Sequence, residues 1–306
     1  MAINDISLTS GMRNNLLSLQ KTSDLINTTQ KRLSTGKKVN SALDNPTNFF
    51  AAQSHLERAS DLTARKDGMA EAVQMVKAAD AGITAITSLI ESAKGVASSA
   101  AATSSATDRA NYAATFNTLM TQISQLASDS GYRGTNLLNS QNQTVEFGQK
   151  TGTATLGITG FNATAAGLTI DTATISSANG AGGIASVTGT SIGGTALAAW
   201  NAIDGDGNVT STATASIQSA ATQLESAMST LRTQSSKLSS NLSVVTTRQD
   251  FTSSMINELQ TGADNLTLAD MNEEGANMLM LQTQQNLGVT SLSMASQAAQ
   301  AVMRLF

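Results

Sequence analysis

The residue types that usually carry chemistry are sparse in this chain and do not cluster. His55, in "AAQSHLERAS", is the single histidine, and there is no cysteine. An imidazole can serve as acid, base or metal ligand, but a site needs further groups to complete it, and neither cysteine nor a second histidine can do so. His55 therefore reads as a helix-face residue. "DGDGN" opens like a calcium loop, with Asp204, Asp206 and Asn208 at its first, third and fifth places. Such a loop needs glycine sixth and glutamate twelfth, where this chain has Val209 and Ala215. A tight turn is expected instead. In "STGKKVNS", Gly36 and Lys37 look like the end of a phosphate-binding loop, but Lys31 stands where its first glycine belongs. Lys37 and Lys38 read as polar surface or a subunit contact. Serines abound, yet one histidine and no "GxSxG" argue against a hydrolase triad. No catalytic residue, cofactor or metal is expected, and the chain reads as a non-enzyme.

With so little chemistry to position, the elements themselves carry the information. Only 3% of the 306 residues are aromatic and one is proline, a composition that favours long helices over a compact enzyme core. A net charge of -4, with 13% charged residues, provides no basic face for a phosphate backbone, so nucleic-acid binding is disfavoured. No apolar run approaches the roughly 18–20 residues that cross a bilayer, so no membrane insertion is expected. "MAINDISLTSG" has neither a basic leader nor an apolar stretch, so export would depend on another machine.

The strongest periodicity runs from 217 to 266. Steps of four and three give Ile217, Ala221, Leu224, Met228, Leu231, Ser235, Leu238, Leu242, Val245, Gln249, Thr252, Ile256, Leu259, Ala263 and Leu266. This stripe predicts one coiled-coil helix roughly 75 Å long at ~1.5 Å per residue. A matching stripe, Met69, Val73, Val76, Ala79, Ile83, Ile86, Ile90, Ala93 and Ala97, predicts a second long helix. Asn45 can cap it and Pro46 can take its first position, so it should run from about Pro46 to Ala102. Tyr112, Phe116, Leu119, Ile123 and Leu126 predict a shorter helix stopped at "SGYRG".

Both ends carry heptads of their own. Met12, Leu16, Leu19, Ile26 and Leu33 form one stripe, interrupted by Ser23 and Gln30. Met278, Leu281, Leu292, Ala295, Ala299, Val302 and Phe306 form the other, with Gln285 and Gly288 as exceptions. From about 141 to 210 the helical period disappears. There "TVEFG", "ATLGITGF" and "GLTIDTATI" alternate like strands, while "SSANGAGG", "IGG" and "DGDGN" read as turns and loops. The expected fold is mainly α, with nested antiparallel coiled-coil helices from both termini and a small β-rich central insertion. The expected domains are 1–42 with 267–306, 43–140 with 211–266, and the insertion 141–210.

Charge then separates the last helix from the others. Between Glu274 and Arg304 there is no charged side chain. A solvated helix of that length ordinarily shows Lys, Glu, Arg or Asp on its outer face. This one should be enclosed by protein or line a narrow polar conduit. One partner helix cannot enclose it, so other copies must, and the two terminal stripes, Met12 to Leu33 and Met278 to Phe306, are the expected assembly interface. Identical copies meeting head to tail without closing make an open helical filament, and the termini should order on assembly.

The motifs agree with that expectation. "QKRLSTGKKVNSALDNPTNFFAAQ" from Gln30 to Gln53 resembles the amino-terminal signature of bacterial flagellins. "LADMNEEGANMLMLQTQQNLGVTSLSMASQAAQAVMRLF" resembles their carboxy-terminal signature, and "GYRGTNLLN" at 131–139 looks like the turn after their short helix. The resemblance covers about 1–170 and 210–306. It implies a filament subunit exported by the flagellum's own secretion apparatus, with its termini in an inner tube and its insertion facing solvent. It also implies homopolymer contacts and, as partners, an export chaperone, the filament cap and the hook-filament junction proteins. The chain departs from many relatives in "NPTNFF", in its Arg304-Leu305-Phe306 end, and at Ser92, where relatives recognised by an innate immune receptor carry arginine. The nearest alternative is a hook-filament junction protein. A signalling hairpin should carry more charge and no strand-rich tip, and an enzyme hosted by the insertion should lose activity without residues 150–205.

Overall fold

The computed structural model describes residues 10–148, 152–179, 183–188, 199–204 and 206–303. Five helices dominate it: α1 (Ser10–Thr35), α2 (Pro46–Ala102), α3 (Ala106–Asp129), α4 (Ser211–Thr267) and α5 (Met271–Met303). Four short strands, β1 (Gln143–Glu146), β2 (Thr155–Ile158), β3 (Ile175–Asn179) and β4 (Gly183–Thr188), form two antiparallel hairpins. The chain divides into two compact units, Met1–Ser60 with Met255–Phe306, and Asp61–Ser254. Both α2 and α4 contribute to each unit.

Helix boundaries follow from local chemistry. α2 begins at Pro46, and the Asn45 side chain accepts from the Asn48 amide at 3.1 Å, as a cap should. α3 is capped by Ser105, which accepts from the Asp108 amide. It ends in the "GYRGTNLLN" turn, where Asn136 closes the open carbonyls. Its Nδ2 donates to Ala127 and Ser128 at 2.8 and 2.9 Å, and its Oδ1 accepts from the Leu138 amide. Arg133 and Gly134 in that turn have positive φ, 49° and 84°.

In the Asp61–Ser254 unit the predicted stripes form the core. Met69, Ile86, Ile90, Ala93 and Ala97 of α2 are fully buried, as are Ile217, Leu224 and Leu231 of α4 and Phe116 and Ile123 of α3. Asp80 bonds Ser235, and Lys94 pairs with Glu225. Numbers rise along α2 as they fall along α4, so the two helices are antiparallel. Gly82 is buried where a Cβ would lie 2.7 Å from Leu138, so α2 needs a hydrogen there to admit the turn after α3. Arg109, nearly buried, donates to the Thr103 and Ala101 carbonyls and to Thr214 Oγ1. It thereby neutralises the carboxy-terminal end of α2 and ties it to the start of α4.

The insertion differs from its expected form in one respect. "GLTIDTATI" is not a strand before Ile175, and the second hairpin lies further on, inside "SSANGAGG" and beyond. The reason is that side-chain amides replace a neighbouring strand. Asn117 of α3 accepts from the Ala173 amide at 2.7 Å and donates to the Ala173 carbonyl at 2.9 Å. Gln223 of α4 does the same for Asp171, accepting from its amide and donating to its carboxylate. Ile170 and Ala173 are buried, and Trp200 packs on Phe116 with ring centroids 4.9 Å apart. "IGG" lies outside the described residues.

Candidate assembly surface of the terminal helices

In the unit formed by Met1–Ser60 and Met255–Phe306, α1 and α5 lie side by side and antiparallel. Asn15 Nδ2 donates to Ser291 Oγ at 3.2 Å, and Arg32 Nη1 meets Glu274 Oε1 at 2.9 Å. Each step up α1 is matched by an equal step down α5 between those two contacts. The seam on α1 follows the heptad Met12, Asn15, Leu19, Thr22, Ile26, Thr29 and Leu33, of which Thr22 and Thr29 are the most buried. On α5, Leu281 is buried, while Met278, Gln285, Gly288, Leu292 and Ala295 are half-buried. Leu19 fills the space at Gly288, where a Cβ would lie 2.8 Å from its Cδ2. Interior glycine costs a helix about 1 kcal/mol against alanine, and here the close approach of the two helices accounts for it.

A hydrogen-bonded corner fixes the open end of this pair. Gly36, at φ 68°, ends α1 with its amide on the Arg32 carbonyl. The Lys38 and Val39 amides donate to the Thr267 carbonyl, and the Ala269 amide donates to the Gly36 carbonyl. The link between α1 and α2 is thereby stitched to the link between α4 and α5. Asp44 tightens the first link by accepting from the Asn40 and Ser41 amides, both at 2.9 Å, which holds its carboxyl below the usual range. Asp270 caps α5 by accepting from the Asn272 and Glu273 amides. Arg32 in the last turn of α1 and Glu274 in the first turn of α5 each suit the local helix dipole, and Glu274 is buried.

The predicted stripe residues divide accordingly. Met12, Leu19, Ile26, Leu33, Met278, Leu281, Leu292 and Ala295 are covered wholly or in part, on heptad faces shared with the seam. Leu16 is exposed. The side chains of Ala299 and Val302, and the whole of Phe306, lie outside the described residues. What the first stripe does not include is a second apolar row on α5. Met280, Leu287 and Met294, seven residues apart, are 60%, 66% and 61% exposed, with Leu279 and Val289 open beside them. Leu17 and Leu25 of α1, and Leu43 and Phe50 near the corner, are exposed too. A signal for the second row was present, since a seven-residue repeat offset from the seam repeats Met, Leu and Met.

The other motifs hold ordinary positions. His55 is half-buried on α2, at van der Waals distance from the point where a side chain on Gly262 would begin. Asp204 Oδ1 accepts from the Asp206 and Asn208 amides, so "DGDGN" is a turn that spends its carboxylate on its own backbone. Lys37 and Lys38 are exposed. Among the described residues no group of three or more His, Cys, Asp or Glu is placed to hold a metal.

The sequence that builds this terminal pair is similar to known proteins along its whole length. A profile of the bacterial flagellin N-terminal helical region matches residues 4–143, and one of the C-terminal helical region matches 214–306. The flagellin FljO of Caulobacter vibrioides is 32% identical, and its FljK is 31% identical, each aligned over 100% of both chains. The chain belongs to the bacterial flagellin family. A flagellin of Brucella melitensis is 25% identical over 95% of each chain. As a flagellin the chain is a structural subunit of the flagellar filament, a self-polymer that serves motility, and nothing favours the junction-protein alternative. Among the described residues no helix of this flagellin is long and apolar enough to cross a membrane.

Proposed function

We propose that this flagellin polymerises through the outer face of its terminal helix pair, with α5 enclosed by neighbouring copies. One observation carries the reading. Between Glu274 and Arg304 there is no charged side chain, yet the helix leaves Leu279, Met280, Leu287, Val289 and Met294 open in a single chain. Burying such side chains contributes about 1.5–3 kcal/mol each before ordering costs. Of the stripe residues expected at the assembly interface, Met12, Leu19, Ile26, Leu33, Met278, Leu281, Leu292 and Ala295 back that face from the α1–α5 seam, and Leu16, Ala299, Val302 and Phe306 belong to the proposed contact with other copies.

In this reading, 1–42 with 267–306 forms an inner tube, 43–140 with 211–266 forms the coiled-coil wall around it, and 141–210 faces solvent. The subunit acts outside the cell, after export through the flagellum's own channel. Its partners are other copies, an export chaperone, the filament cap and the hook-filament junction proteins. It works as a mechanical element without catalysis.

Deleting Asn286–Phe306 tests the proposal. The truncated chain should stay soluble and fail to elongate filament seeds, as seen by electron microscopy. Normal filaments from that truncation would overturn the reading.

A further inference from the structure

Among the described residues the methionines differ widely in exposure. Met69 and Met120 are buried among the helices of the Asp61–Ser254 unit, at 0% and 2% exposure. Met280 and Met294 stand open on α5, with only Leu287 between them in the same heptad row. They are about 21 Å apart along the helix, on a surface where no ionic group competes for solvent or reagent. A thioether packs as an apolar side chain until it is oxidised, when it becomes a strongly polar acceptor.

We propose that Met280 and Met294 form an oxidation-sensitive checkpoint on filament growth, a reading that rests on the proposed burial of this α5 face between copies. In a free subunit each sulfur is open to a peroxide. The sulfur lone pair attacks the terminal oxygen of hydrogen peroxide, the O–O bond breaks, an S=O bond forms and water leaves. Sulfur is oxidised by two electrons and the peroxide is reduced by two. The sulfoxide then lies on the row that a neighbouring copy has to cover, where the polar oxygen meets apolar side chains and loses its water. Oxidised subunits are thereby refused at the growing end. Subunits already in the filament have the same sulfurs covered, so the sensitivity belongs to the free pool. α1 has only Met12, half-buried on its seam face, which places the checkpoint on α5.

The test uses the full-length chain and hydrogen peroxide, with peptide mass spectrometry to follow each methionine. Oxidation should appear at Met280 and Met294 while Met69 and Met120 stay unmodified. The critical concentration for elongation from untreated seeds should rise at least tenfold. Peptide methionine sulfoxide reductases of both stereochemical classes should restore it. M280L/M294L keeps volume and apolarity and should elongate after peroxide as it does before, whereas M271L should give no protection, although Met271 is also exposed. Normal elongation by wild type oxidised at both positions would overturn the inference and leave the assembly reading standing. Protection by M271L, or failure of the reductases to restore elongation, would overturn it too. If the unoxidised wild type does not elongate on seeds, it is the assembly reading that fails. The reductase arm does not depend on any variant folding.

Discussion

α4 and α5 are helices of similar chemistry with opposite surroundings. On α4 the predicted stripe is covered along its length, and the outward positions hold ions such as Glu225, Arg232, Lys237, Arg248 and Asp250. On α5 the seam toward α1 is thinner, with Gln285 and Gly288 among its positions, and the outward row holds Met280, Leu287 and Met294. The first helix has covered its stripe within one chain, although Val244 and Phe251 stay open off that stripe. The second, in the proposed assembly, is half of an interface. Hydropathy alone does not distinguish them, because both carry apolar heptads; the separation comes from where charge is allowed to appear.

That contrast can be broken most severely by putting a charge on the open row. Leu287→Asp should raise the critical concentration for elongation at least about 100-fold, because an unpaired buried carboxylate costs several kcal/mol. Its monomer melting curve should be almost unchanged, as expected for an exposed site. The control Ser240→Asp, at an exposed position of α4, should leave both nearly unaltered. Equal effects from the two substitutions would erase the distinction.

Next in size come changes inside the units. Asn136→Ala removes the bonds to Ala127, Ser128 and Leu138 and leaves buried groups unmet, so thermal or urea unfolding should show a loss of about 2–3 kcal/mol. Gly82→Ala should cost about 1–3 kcal/mol by overpacking against Leu138 and Ser130. Glu274→Gln leaves Arg32 without its anion and should weaken the α1 and α5 pairing by about 1–2 kcal/mol, read as faster amide exchange in both helices.

The smallest expected effect is at Asp44. Its folded-state carboxyl is held below the usual value near 3.8, so its contribution is present above that pH and is lost as pH falls through the lowered value. Asp44→Asn should accelerate exchange at the Asn40 and Ser41 amides at neutral pH and remove the acid-dependent part of that change.

Much of this organisation is legible in the residues. Asn45 and Pro46 place the start of α2, and the 217–266 heptads place most of α4, which begins two turns earlier at Ser211. The seam is legible only in part. Leu16 fits a run of apolar residues, but the helix turns Asn15 inward beside it, because a short amide can bond Ser291 across the pair. Polar seam residues such as Thr22 and Thr29 are invisible to an apolar count. So is the corner, whose amides and carbonyls bond regardless of side chain, and so are the Asn117 and Gln223 contacts, which join residues 50 or more apart in sequence.

Those two amide side chains have a practical consequence. The stretch around Asp171 and Ala173 is moored to α3 and α4 through the Asn117 and Gln223 side chains, and just after it the Thr174 carbonyl accepts from the Trp200 amide at 3.0 Å. Between that mooring and Trp200, which is buried on Phe116, the hairpin beyond Ile175 and up to Thr188 can be rewritten, lengthened or decorated while the helices keep their places, so a fixed rail carries an exchangeable segment.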